Sequence, residues 1–195
     1  EQLILLIKVN AFRFCNPNKR ELLWEAYMKV HKIEMEEHVQ TLFKSEKISY
    51  KTPVLTSSLF EDAFDEIQYL DFPLCDPFAL LAEPIQAQFF ANDLYQYVGK
   101  EVTVYGYYVT VKKTVTSKGD LMYFGTFVDE KGDHIDTVHF PQAARKNLFR
   151  GRGIYRLTGK VTEEFDCVTI EVDDMEKLAI VQDPRYAEEK KILKT

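Results

Sequence analysis

The sequence predicts an α+β chain: a small N-terminal helical segment followed by a closed, five-stranded β-barrel. Two observations predict it. Between residues 97 and 180, five strand-like runs follow one another: Val102–Val111, Leu121–Val128, Ile135–Phe140, Ile154–Val161 and Val168–Val172. Upstream of them, apolar residues recur at helical spacing instead.

The bulk numbers set the frame. A length of 195 residues allows one or two domains, and an apolar share of 46% supports real cores. No apolar run approaches the roughly 20 residues of a membrane span. The chain opens on Glu1 and an already helical Gln2–Ile7, with no cationic leader or small-residue cleavage site, and reads as a piece cut from a longer chain. Cys15, Cys75 and Cys167 are widely spaced and form no ligand pattern. They predict reduced thiols in a cytoplasmic protein, each a small buried hydrophobe, and no metal site. Net charge is −6, unevenly spread. Residues 1–97 carry 9 basic and 15 acidic side chains, whereas residues 98–178 carry 12 and 13. A local basic groove on the barrel is compatible with that distribution; a cationic coat is not.

Residues 1–33 predict helix, tight turn and helix. Leu3, Ile4, Leu6 and Ile7 form a stripe that stops at Val9-Asn10, and asparagine suits the left-handed turn after a helix. Asn18 fits an N-cap with Glu21 reaching back as in a capping box. Leu22, Leu23, Ala26, Tyr27 and Val30 share the next helical face, with Trp24 off it. Residues 34–96 read as a helical linker region. Within it, Gln40, Leu42 and Phe43 resemble a peptide captured by a sliding clamp, or alternatively form the end of an amphipathic helix. Thr56-Ser57-Ser58 and Glu61 predict a helix start, with Leu59, Ala63, Phe64, Ile67 and Leu70 on its apolar face. Asp76-Pro77 predicts a second start, running through Leu81, and Asp93 a short capped turn. Residues 181–195 read as a tail.

In the barrel, Gly106 predicts a bulge in the long first strand. Lys112 to Gly119 reads as the connection to strand two. Lys112, Lys113, Thr116 and Lys118 there supply ammonium and hydroxyl groups suited to phosphate oxygens. Alternation turns one of Tyr123 and Phe124 outward as a platform for a base. Lys131-Gly132 makes a tight turn. His139 has no histidine or carboxylate at ligand spacing and is counted with the nucleic-acid contacts. Pro141–Phe149 forms a short helical connector, after which Arg150 and Arg152 flank glycines on the way to strand four. Glu163-Glu164 falls in the turn between strands four and five. Five strands with a helix between the third and fourth give the order of an OB-fold, a barrel used mostly for nucleic acid. No nucleotide-binding loop, nucleophile elbow or two-metal carboxylate pair is present in the sequence, so it predicts no catalytic residue.

Three runs then form a pattern: Val98-Gly99-Lys100-Glu101-Val102-Thr103-Val104-Tyr105-Gly106, Thr116-x-Lys118-Gly119-x-x-Met122-x-Phe124-x-Thr126, and Asp129-x-x-Gly132 closing on Phe140-Pro141. Together they resemble the OB-fold of the bacterial DNA polymerase III alpha subunit. Leu6 to Phe12 with Asn18-Lys19-Arg20 resembles the end of that family's helix-hairpin-helix region, and Asp65-Glu66-x-x-Tyr69-Leu70-x-Phe72 with Pro77 resembles the segment between. The chain departs from the family's usual glycines at Asn10 and Asp71. Gln40 also stands one residue closer to Phe43 than in the family's clamp-binding peptide.

The resemblance implies the non-catalytic C-terminal part of a DNA-directed DNA polymerase, a nucleotidyltransferase of DNA replication whose Mg2+-dependent domains lie upstream. It implies single-stranded DNA as partner, with Phe124 as the outward ring, and the sliding clamp and other replisome subunits as further partners. A protein-docking barrel and the anticodon-binding OB domain of a tRNA synthetase are the alternatives.

Overall fold

The computed structural model describes residues 1–36 and 60–186. Gln40, Leu42, Phe43 and the Thr56–Ser58 cap lie outside them. The chain divides into two compact units, Glu1–Leu74 with Asp183–Thr195, and Cys75–Gln182.

In the first unit, α1 (Gln2–Lys8) ends where its stripe stops, and Asn10 adopts φ 61°. The Asn10 amide also donates to Glu66 Oε1 at 3.0 Å. Asn18 caps α2 (Lys19–Glu36), its Oδ1 accepting from the N–H groups of Arg20 (3.1 Å) and Glu21 (3.3 Å). The return half of the capping box differs. Glu21 accepts from the Asn18 side-chain amide, while the Asn18 N–H is taken by Asn16 Oδ1.

Of the predicted α2 face, Ala26 is buried, but Tyr27 and Val30 are exposed, as is Trp24. The predicted apolar face of α3 (Glu61–Leu70) is also corrected: Ala63 is buried, Phe64, Ile67 and Leu70 are half-buried, and Glu61, Asp65 and Glu66 are buried beside them. Lys19 Nζ stands 2.6 Å from both Asp62 and Asp65, Arg185 reaches Asp65 at 2.6 Å, and Arg20 pairs Glu61 at 2.7 Å. Ion pairs thus tie Lys19, Arg20 and Arg185 to the buried carboxylates of α3. Removing one partner of such a pair strands a buried charge, at about 3–5 kcal/mol. Arg185 belongs to the predicted tail, and its ion pair with Asp65 makes it a working part of this unit. The residue preceding α3 is Phe60, at φ 68° and without a side-chain cap.

In the second unit, which opens at Cys75, the predicted start at Asp76-Pro77 is present. Asp76 Oδ1 accepts from the Phe78 N–H at 2.9 Å and caps a 3-10 turn, Pro77–Leu80. Leu81 instead pairs with Ile180 in an isolated bridge. A second 3-10 segment, Ala91–Tyr97, contains Asp93 rather than being capped by it, and sends Leu94 into the barrel core.

Strands β1 (Glu101–Val115), β2 (Leu121–Val128), β3 (His134–His139), β4 (Ile154–Glu164) and β5 (Cys167–Lys177) close in the order β1-β2-β3-β5-β4. The β3–β5 pair is parallel and the others antiparallel. With α4 (Pro141–Lys146) between β3 and β4, this is an OB-fold. Val104, Phe127, Leu157, Val161 and Ile170 are fully enclosed. Each such side chain contributes about 1.5–3 kcal/mol relative to exposure.

Three expectations are corrected here. β1 runs through Val115, pairing Lys112 with Phe124 and Val115 with Leu121, so Lys112 and Lys113 are strand residues rather than connection. The bulge falls between Tyr108 and Thr110, not at Gly106. Gly106 is needed for close approach instead, since a Cβ there would stand 2.6 Å from the Phe127 Cβ. Cys15, Cys75 and Cys167 are all exposed, because they lie in or beside turns rather than on buried faces.

Candidate nucleic-acid interface

The strand pairing sets Lys112, Phe124 and Val138 in one row across β1, β2 and β3. Tyr123, Gly125 and Phe127 alternate inward, so Phe124 points out and is 44% exposed. The Tyr123 ring packs on Phe149 at 5.5 Å. The next row holds Thr114 and Met122, which pair directly. Just past β3, two residues after Val138, Phe140 keeps an extended backbone ahead of α4 and is 47% exposed. The sequence reading passed over Phe140 as a strand end, although alternation from Val138 already places it on this face.

Lys112 and Lys113 point to opposite faces, and only Lys112 stands beside Phe124. Lys118 sits in the β1–β2 turn with Thr116, which is fixed by N–H donation to Asp120 O (2.8 Å) and by its Oγ1 accepting from the Asp120 N–H (3.2 Å). Lys112, Lys113 and Lys118 are exposed and make no ion pair among the described residues. Three cations on and after α4 are already neutralised. Arg145 pairs Asp120 at 2.6 Å, Lys146 pairs Asp174 at 2.7 Å and Arg156 pairs Glu176 at 2.7 Å. The hydrogen bond from Lys146 holds the Asp174 carboxyl below its ordinary value. Arg150 and Arg152 are exposed on the loop before β4, which a latch fixes: the Arg150 N–H donates to the Tyr155 hydroxyl, which donates to Gly151 O. That loop is not part of the Lys112–Phe124 row.

His139 is corrected. It is 0% exposed, turned inward like Thr137 and Ile135, and no surface ligand reaches it. Thr137 Oγ1 donates to Gly125 O at 2.9 Å, so His139 Nε2, 3.1 Å away, must carry the proton and donate to that hydroxyl. Nδ1 has no partner among the described residues, and burial pushes the imidazole down to about 4. It is a neutral core residue against the edge of Phe149, at a ring separation of 5.0 Å.

Carboxylates bound the face on its far side. Asp136 points outward and accepts from the Thr126 hydroxyl at 2.8 Å, and Glu171 pairs beside Val138. The positive potential of the face therefore lies on its β1–β2 side.

The β4–β5 hairpin contrasts with this. Glu163 and Glu164 are the last residues of β4, and the turn itself is Phe165-Asp166, at φ 52° and 60°. Two consecutive left-handed residues make a type I′ turn, where Asn-Gly is usual. A bulky residue there costs about 1–2 kcal/mol. Phe165 is nevertheless 98% exposed. The sequence hid it, because Phe-Asp carries no signal for this turn.

Among the described residues, no group of three or more His, Cys, Asp or Glu is placed to hold a metal ion. Among the same residues, no helix is long and apolar enough to cross a membrane.

No protein-family model matches this sequence, and no curated protein matches it. Solved structures do. The N-terminal domain of PriB from Thermoanaerobacter tencongensis is 12% identical at TM-score 0.35, the match covering 40% of this chain and 96% of that one. The second OB-fold domain of replication protein A from Methanococcus maripaludis is 17% identical at TM-score 0.32, covering 44% and 90%. The S. pombe Stn1–Ten1 complex is 16% identical at TM-score 0.37, covering 55% of this chain and 85% of that one.

Proposed function

We propose that the barrel binds single-stranded DNA across the β1–β2–β3 face. The observation that carries this is the direct pairing of Lys112 with Phe124: an exposed ring beside a cation that no carboxylate among the described residues neutralises. Bases stack on Phe124 and Phe140, phosphates meet Lys112, Thr116 and Lys118, Lys113 adds its charge from the other face of the hairpin, and Arg150 and Arg152 extend the contact to flanking nucleotides. Stacking tolerates any sequence because every base has a π-face. Phosphate contact releases counterions. With Asp136 and Glu171 bordering the face, the affinity is modest.

Filter binding of oligo-dT across a salt series tests it. With three or four phosphates engaged, log K should fall against log salt with a slope of about −2 to −3. F124A should lose about 1–3 kcal/mol of binding. Absence of binding at low salt, or binding indifferent to salt, overturns the reading.

We further infer that the chain is the C-terminal part of a polymerase of the DNA polymerase III alpha type, with the helix-turn-helix segment as the end of its helix-hairpin-helix region. The ordered motifs from Leu6 to Phe140 support this. Catalysis and its Mg2+ then belong to upstream domains, and the sliding clamp and replisome subunits are partners of the whole protein. Translating the DNA upstream of the Glu1 codon tests it. If no polymerase core is encoded there, the polymerase assignment falls and the DNA-binding reading stands.

A further inference from the structure

Phe165 is 98% exposed at the tip of the β4–β5 hairpin, in a left-handed conformation that a phenylalanine rarely adopts. Glu163 and Glu164 precede it and Asp166 follows, all exposed and none ion-paired among the described residues. A ring carried between three carboxylates repels a phosphate backbone, and an anionic lipid surface for the same reason. What suits it is an apolar platform edged by ammonium groups.

The chain carries such a platform. Phe124 lies beside Lys112, with Lys113 and Lys118 on the same hairpin, and none of these lysines is ion-paired among the described residues. The two surfaces leave opposite ends of β1. Lys160, on the way to the acidic tip, pairs with Glu101 at the start of β1, whereas Val115 at its end pairs with Leu121 beside the basic turn. No ion pair joins them among the described residues. The complementarity is therefore available between copies.

We propose that the β4–β5 tip of one copy docks on the Lys112–Phe124 face of a second. The Phe165 ring takes the position of a base on Phe124, and the carboxylates take the positions of phosphates. Each copy offers a different surface to each neighbour, so the contact is head-to-tail and adds copies with rising concentration rather than closing a pair. Single-stranded DNA competes for the same face; this part rests on the DNA-binding reading above, whereas the docking rests on the two surfaces alone.

Sedimentation velocity on the full 195-residue chain, at rising concentration and at low and high salt, tests the proposal. The expected result is a weight-average mass that climbs with concentration at low salt and falls with added salt. F165A and F165N should each weaken association about tenfold, as loss of an aromatic pair does. Asparagine tolerates the left-handed turn, so F165N also guards against a folding artefact. K112E and E164K should each weaken association, and the double variant should restore it. A monomer at every concentration overturns the proposal, as does association that F165N leaves unchanged. If oligo-dT binds but the chain stays monomeric, the docking falls and the DNA reading stands. If the chain associates through Phe165 and Phe124 while oligo-dT does not bind, docking is supported and the DNA reading falls.

Discussion

One barrel presents two hairpins with opposite chemistry. The β1–β2 hairpin turns through Gly119 at φ 84°, a residue without a side chain to strain, and surrounds that turn with Lys112, Lys113 and Lys118. The β4–β5 hairpin turns through Phe165-Asp166 at comparable angles and surrounds it with Glu163 and Glu164. In OB-folds both loops can contact oligonucleotides. Here the charge admits a polyanion at one and rejects it at the other. What each hairpin receives is set by side chains that the fold leaves free to vary.

The sharpest way to break this contrast acts at the roots of the hairpins. A Cβ on Gly159 would stand 2.0 Å from the Glu171 carbonyl oxygen, a backbone atom that cannot yield without opening the β4–β5 ladder. G159A should cost about 3 kcal/mol or more. On β2, a Cβ on Gly125 meets the Thr137 hydroxyl at 2.8 Å, a side-chain atom with some freedom to move. G125A should therefore cost less. Urea unfolding of both variants measures the difference, and equal losses would show that the two roots are equally rigid.

The next effect belongs to the β2–β3 side, where His139 is buried. Its folded-state pKa, about 4, lies below the unfolded value of 6.5. The unfolded chain thus binds the proton more readily. The stability from keeping the ring neutral is complete above pH 6.5 and is lost as pH falls toward 4, a total of about 3 kcal/mol. Urea midpoints across that range should decline in the wild type and flatten in H139F. A wild-type curve already flat there would place His139 in solvent contact.

The smallest effect is at the acidic tip. F165N replaces a strained residue by one that accepts the left-handed conformation and should raise stability by about 1 kcal/mol. Thermal unfolding reads it; a lower melting temperature would mean that the ring is held by packing.

Much of the barrel was legible from alternation, because a sheet with one buried face writes its period into the chain. Asn10 and Asp76-Pro77 were legible for local reasons, each meeting a backbone requirement within a few residues. Lys112 and Lys113 were misplaced because a strand persists as long as its partner does, and Leu121–Tyr123 extends β1 past the point where its own residues turn polar. The buried carboxylates of α3 were hidden because Asp65 is matched by Lys19 and Arg185, far away in sequence. His139 shows the opposite failure. Its inward phase was readable from Ile135 and Thr137, but a polar side chain was taken as a surface one. The Lys112–Phe124 pair needed both strands at once, and the outward choice between Tyr123 and Phe124 came from resemblance rather than from the residues.

The length of β1 has a consequence for how the barrel meets a charged surface. Its 15 residues pair with β4 along the first part and with β2 along the second, so one strand carries the roots of both hairpins. At physiological ionic strength the charge of each hairpin is felt within about 8 Å, so a charged surface meets Lys112, Lys113 and Lys118 or Glu163, Glu164 and Asp166 only near contact. In dilute salt the screening length grows to about 30 Å, and the preference of a negative surface for the lysine-bearing hairpin is set before contact.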